Sequence, residues 1–286
     1  MVKAIIKINL NFSKKNYATL SMDTILLFVL GTAFCFGAIV GSFLNVVILR
    51  LPNEGESVVF PASHCTSCMA DLHWYENIPV LSFLVLRGKC SHCKDTISFQ
   101  YPVVELSMAI LSAALVQRFG LSITTAGYFL FCAALLVIIW IDVHHQIIPD
   151  VISLPGIIIG LLFSIICPVL YWKDSLFGVL AGGGILYAIA LLYFLWRKID
   201  GMGGGDIKLL AMIGAFLGWQ ALPFVILASS LSGTVVGLLA MIKQKKGGQT
   251  RIPFGPFLSI AALAYLFFQE KILLLYEIYL NSAMPG

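Results

Sequence analysis

From Leu209 to Ile242 the chain runs 34 residues without a charge. About 20 apolar residues are enough for a helix to cross a bilayer, so this run is too long for one crossing. It divides near Trp219 to Pro223, into a short helix and a longer one. Comparable runs are Thr24–Leu49, Tyr101–Gln117 (interrupted only by Glu105), Thr124–Ile141, Val151–Trp172, Leu176–Trp196 and Ile252–Tyr279, the last charged only toward its end. Lipid cannot satisfy open backbone groups, so each run must be helical. The predicted fold class is an all-α integral membrane protein of about eight transmembrane helices. Charged residues make up 11% of the chain, against roughly 25% in soluble domains, so lipid must take the place of water around much of it.

Gly156 with Gly160, Gly178 with Gly182 and Gly214 with Gly218 stand four apart, a spacing that suits close helix packing. With eight spans, one side of the membrane receives residues 50–100, 142–150, 197–208 and 243–251. Those loops carry Arg50, Arg87, Lys89, Lys94, Arg197, Lys198, Lys208, Lys243, Lys245, Lys246 and Arg251, while the opposite loops carry Arg118 and Lys173. That asymmetry places the first side in the cytoplasm. The lysines at 3, 7, 14 and 15 fall on the wrong side, so residues 1–21 read as an N-terminal extension, and Met22 stands as an alternative start. The net charge of +4 comes with no dense basic run interleaved with aromatics, so nucleic acid is not an expected partner.

Two clusters can carry chemistry. Residues 50–100 contain Cys65-x-x-Cys68 and Cys90-x-x-Cys93. Two such knuckles suit tetrahedral thiolate binding of a structural Zn²⁺, and a reducing cytosol disfavours structural disulfides; a pair of redox dithiols or disulfides is the alternative reading. Cys35, Cys132 and Cys167 lie in apolar runs and read as small buried hydrophobes. The second cluster is acidic: Asp142 ends the third span, Asp150 opens the fourth after Pro149, and Asp206 follows Gly203-Gly204-Gly205. All three fall on the cytoplasmic side. Asp150 also suits a helix N-cap, and the glycine run would let a substrate backbone approach. Two converging carboxylates cannot both ionise easily, and a pair sharing a proton can activate water against an amide. Glu105, inside a span, reads as half of an ion pair with Arg50 or Arg87.

These residues, with Gly41-Ser42-Phe43-Leu44-Asn45, Trp74-Tyr75-Glu76-Asn77-Ile78-Pro79, Arg87-Gly88-Lys89-Cys90, Tyr101-Pro102 and Ile252-Pro253-Phe254-Gly255-Pro256, closely resemble the type IV prepilin peptidases. Those are bifunctional leader peptidases and N-methyltransferases of bacterial pilus and type II secretion systems. The resemblance runs from Met22 to about Leu258, and Gly203 to Asp206 matches the family's Gly-x-Gly-Asp motif. It implies an aspartic endopeptidase of the bacterial inner membrane with its site toward the cytoplasm. Asp142 and Asp206 would be the catalytic pair, their 64-residue separation being typical of the family and favouring Asp142 over Asp150. Gly203, Gly204, Gly205 and Asp150 would line the substrate approach.

The implied partners are prepilins or pseudopilins and membrane lipid. Cleavage would follow the glycine that ends a basic leader, and the new N-terminal residue would be methylated from S-adenosylmethionine, with residues 50–100 as the methylation region. The implied domains are the extension 1–21, a first transmembrane helix 22–49, the zinc-binding cytoplasmic domain 50–100 and a transmembrane peptidase domain 101–286. The rival readings are another Gly-x-Gly-Asp intramembrane protease, which leaves the cysteines unexplained, a polytopic transporter, and a membrane scaffold with a zinc module.

Overall fold

The computed structural model describes residues 2–53, 55–60, 63–198, 203–244 and 253–283, with side chains from residue 24 onward except 243–244, 276–277 and 279–283. Its helices are α1 (Val2–Arg50), α2 (Leu81–Val85), α3 (Gln100–Phe119), α4 (Ile123–His145), α5 (Asp150–Ile166), α6 (Trp172–Arg197), α7 (Gly204–Leu217), α8 (Leu222–Gln244) and α9 (Gly255–Ala283). Among the described residues the only extended pairings are two isolated bridges, His64 with Asp71 and Lys89 with Thr96.

All eight expected runs are helical, but six have the length and apolarity to cross a membrane: Thr24–Arg50, Gln100–Phe119, Ile123–His145, Trp172–Arg197, Trp219–Ile242 and Gly255–Leu275. The two shorter ones have local causes. α5 stops at Ile166 because Cys167 precedes Pro168, and a residue before proline is pushed out of the helical region. It was expected to run on to Trp172. α7 spans 14 residues between Gly203 and Gly218, and Gly218 ends it at φ +80°. A 3₁₀ turn, Trp219–Ala221, then leads into α8, so the long uncharged run breaks where expected.

The chain divides into two compact units, Met1–Phe43 with Ala62–Leu121, and Leu44–Pro61 with Ser122–Gly286. In the first, α1 packs closely on α3. A Cβ on Gly37 would lie 2.6 Å from the Met108 carbonyl oxygen, and one on Gly41 2.7 Å from Glu105 Cα. The Ser112 hydroxyl donates to the Ala33 carbonyl at 2.7 Å and ties the same two helices. This Gly37-x-x-x-Gly41 pair went unmarked in the sequence reading.

In the second unit α7 is wrapped by its neighbours, with every residue from Leu209 to Leu217 buried. On one side Gly178 of α6 meets Gly214 backbone to backbone, and a Cβ on Gly182 would come 2.6 Å from the Leu210 carbonyl oxygen. On the other, Gly156 and Gly160 of α5 leave room for Met212, Ala215 and Phe216. Five of the six marked glycines therefore serve packing, while Gly218 ends a helix. Because α7 is enclosed by protein, it does not need the length of a lipid-facing helix. Ser175 donates to the Ala215 carbonyl at 2.6 Å, satisfying its hydroxyl inside this contact.

Candidate functional site

Asp142 sits near the C-terminus of α4, where only 4% of its surface is exposed. Its carbonyl accepts the N–H of Gln146, which closes the helix in the left-handed region at φ +55°. Its carboxylate Oδ2 accepts the N–H of Gly255 at 2.9 Å. Gly255 opens α9, and a helix's first N–H groups have no partner in the helix and favour a negative charge. A side chain there is excluded, because a Cβ would lie 2.7 Å from Oδ2 and 3.2 Å from Ile148 Cδ1. The sequence reading quoted Gly255 only as part of a motif. The signal that could have found it is a lone glycine between two prolines at a span start.

Asp206 lies in the first turn of α7, half-buried, with its N–H donating to the Gly203 carbonyl at 3.2 Å. It is near enough to Asp142 for the charge on one carboxylate to act on the other. Ile148, in the link between α4 and α5, touches both glycine positions beside the acids. Its Cβ is 2.9 Å from where a Gly205 Cβ would stand, and its Cδ1 reaches Gly255. The three glycines before Asp206 thus differ. Gly205 is small because Ile148 fills its space, Gly204 faces open space, and Gly203 has only ordinary contact with Asp206 Oδ2 at 3.7 Å. Of the triplet, Gly203 and Gly204 are exposed and uncrowded, while Gly205 is closed off by Ile148.

Asp150 is not the cap of α5, because Pro149 holds the N-cap position and Asp150 is the first helical residue. Its carboxylate instead accepts two hydrogen bonds from Lys208 Nζ, at 2.7 and 2.8 Å. That ion pair links the start of α5 to Lys208, two residues beyond Asp206 on α7. A cavity of about 260 Å³ between α4, α5 and α7 is lined by apolar residues such as Leu130, Val137, Ile152, Pro155 and Met212, and neither Asp142 nor Asp206 lines it.

The cysteines form a separate cluster in the first unit, built as one motif made twice. In each copy the first cysteine's N–H donates to a carbonyl five residues on: Cys65 to Ala70 at 2.9 Å and Cys90 to Asp95 at 2.8 Å. The residue after the second cysteine bonds back to the first cysteine's carbonyl and takes a positive φ, 57° at Met69 and 63° at Lys94. Outer bonds from Leu72 to Ser63 and from Ile97 to Gly88 close the two loops alike. The four sulfurs lie within 4.8 Å of one another, with Cys65 and Cys93 3.9 Å apart. Tetrahedral zinc with Zn–S near 2.3 Å would set sulfurs about 3.8 Å apart, so the set fits a metal ion.

Backbone N–H groups of Cys93 and His92 pull the Cys90 thiol down to about 6. Cys93 moves the other way, to about 12: an N–H of Asp95 favours its thiolate, but desolvation and the hydrogen-bonding thiols around it outweigh that. A cation at their centre would let all four ionise together. The module is also braced by Glu76, whose Oε2 accepts the His73 N–H at 2.9 Å. A hydrogen bond from Ser91 and that N–H hold the Glu76 carboxyl below the usual range.

Glu105, expected in an ion pair, is met differently. It is buried on α3, and its Oε2 accepts the backbone N–H of Val80 at 2.7 Å, with the Ser42 hydroxyl as a second partner.

Comparison with known proteins finds two family matches along the chain. Residues 35–119 match the bacterial peptidase A24 N-terminal domain, and residues 129–238 match the type IV leader peptidase family. A prepilin leader peptidase/N-methyltransferase of Stutzerimonas stutzeri is 40% identical, over 84% of this chain and 91% of its own. Proteins of the same name are 39% identical in Pseudomonas aeruginosa (86% and 92% covered) and 37% identical in Burkholderia pseudomallei (86% and 87% covered). No solved structure matches. With relatives this similar along most of both chains, the protein belongs to the type IV leader peptidase family.

Proposed function

We propose that this protein cleaves the leader peptide from prepilins or pseudopilins and N-methylates the residue so exposed. The observation that carries the reading is that Asp142 and Asp206, 64 residues apart in sequence, stand in one helical unit with Ile148 against the glycine beside each, Gly255 and Gly205. Two carboxylates whose charges repel share a proton at rest. One can then take a proton from water as it attacks the scissile carbonyl carbon, and the other can protonate the departing amine. The Gly255 N–H suits Asp142 to the ionised, base role, since it donates to Oδ2 and leaves the other oxygen for water. Gly204 offers an unobstructed approach for an extended substrate backbone beside Asp206. The substrate that the family resemblance implies has a basic leader in water, a glycine at the cut, and an apolar helix in lipid.

The same reading extends to location and cofactors. The lysine and arginine asymmetry supports a bacterial inner-membrane protein with eight crossings and an acid pair facing the cytoplasm, α7 crossing enclosed by other helices and α5 with an apolar face exposed. Cys65, Cys68, Cys90 and Cys93 would hold a structural Zn²⁺, all four positions being filled by protein. When bound, S-adenosylmethionine would supply the methyl group to the amine freed by cleavage, with residues 50–100 as the region for that step.

The test is cleavage of a prepilin by the purified protein in detergent, comparing wild type with Asp142→Asn and Asp206→Asn. Loss of cleavage in each variant at unchanged protein and zinc content is the expected outcome. Cleavage that survives either substitution would remove the dyad, and a wild type that cleaves no prepilin would remove the substrate assignment.

A further inference from the structure

α2 is a helix of five residues, Leu81-Ser82-Phe83-Leu84-Val85, and it is turned inside out. Leu81, Leu84 and Val85 stand at i, i+3 and i+4, which puts them on one face. In a water-soluble module that face would be covered, yet the three are 59%, 63% and 79% exposed. The opposite side holds Phe83, which packs edge-on to Phe99 at 5.9 Å between centroids and closes over Gly88. Trp74 and Phe99, flanking α2 in the same unit, are also strongly exposed.

The depth of this face is set by one bond. Val80, the residue before α2, donates its N–H to Glu105 Oε2 at 2.7 Å. Glu105 is five residues inside α3, so it lies about 7–8 Å along a helix that is itself long and apolar enough to span a membrane. Val80 takes φ +62° to make the contact, a conformation that costs a β-branched residue more than most. The buried carboxylate therefore pins the entry to α2 beside the first turns of a lipid-embedded helix. With α3 set across a bilayer, that level would fall at the boundary between headgroups and acyl chains. Arg87 and Lys89, shortly after α2, are both exposed, as contact with lipid phosphates would require.

We propose that α2 is an interfacial helix, inserting Leu81, Leu84 and Val85 into the bilayer surface and so laying the four-cysteine module on the membrane beside α3. The partner is the lipid surface. This role is independent of the peptidase reading and would hold for an inactive protein.

The test uses the full chain, biosynthetically labelled with 5-fluorotryptophan, in nanodiscs of phosphatidylcholine and phosphatidylglycerol. A Leu84→Trp variant adds one fluorine resonance to those of the native tryptophans, and Val85→Trp serves as a second reporter should the first fail to accumulate. Dissolved oxygen, which partitions into lipid, should relax the added resonance several-fold more than a water-soluble nickel chelate does. Equal or greater relaxation by the chelate would put the face in water and overturn the proposal. Weak relaxation by both agents would mean that protein covers it, and would overturn it equally. Trp74, identified by the resonance lost in Trp74→Phe, gives a reading at a native position.

Discussion

Each cysteine knuckle is built within ten residues of chain, Ser63 to Leu72 and Gly88 to Ile97, whereas Asp142 takes its side-chain hydrogen bond from a residue 113 positions away. The knuckles repeat the same backbone bonds at an offset of 25 residues, down to the positive φ after the second cysteine. The acid pair has no such local frame. Its positions depend on α7 packing between α5 and α6 through glycines, and on α9 beginning against α4. A metal can complete a locally built site, because ligands close in sequence cost little entropy to gather. A carboxylate pair in a helical unit has to be assembled by the whole unit, and small changes far from it should be felt there.

The largest effect that would sharpen this contrast is chemical. Asp142→Asn and Asp206→Asn should each lower the rate of prepilin cleavage by about 10²–10⁴-fold, the worth of general acid–base catalysis, without changing zinc content. Gly255→Ala comes next. Its methyl would push on Asp142 Oδ2, and displacement of a catalytic group by about 1 Å costs about 10²-fold. The loss should appear in kcat, with substrate affinity held; a fall confined to affinity would show that Gly255 does not position the acid.

Removal of the zinc proposed for the four cysteines should act only on the other side of the comparison. A strong chelator, or Cys90→Ser, should open residues 63–97 to protease while the helical signal in circular dichroism stays nearly constant. Collapse of that signal would mean the module also supports the helices. The smallest effect belongs to the exposed ion pair. Lys208→Met should cost no more than about 1 kcal/mol of stability, as partly exposed pairs do, and should leave cleavage within a few-fold of wild type. Abolished cleavage would instead give Lys208 or Asp150 a part in the site.

The long helices were readable residue by residue, but the end of α5 at Ile166 was not. Charges bound the apolar runs, the Trp219 to Pro223 break holds, and the knuckles carry their own spacing. The pairing of Asp142 with Asp206 came from resemblance, since spacing alone left Asp150 equally open. What the sequence reading missed lies at contacts between distant segments. Gly37 and Gly41 against α3, Gly255 against Asp142, and Lys208 with Asp150 have no local mark, because a glycine or a carboxylate looks the same whether or not something is packed against it. Glu105 was read for a charged partner and instead meets the amide of Val80.

Hydrophobicity and backbone chemistry, which act over a few residues at a time, are written in the chain itself: an all-helical membrane protein, a two-knuckle cysteine loop and acids at helix ends. Tertiary structure alone decided which backbone group meets Asp142, which glycines are crowded, and that α2 turns its apolar face outward. Those outcomes depend on distances between segments remote in sequence, and only close packing of the whole unit specifies such distances.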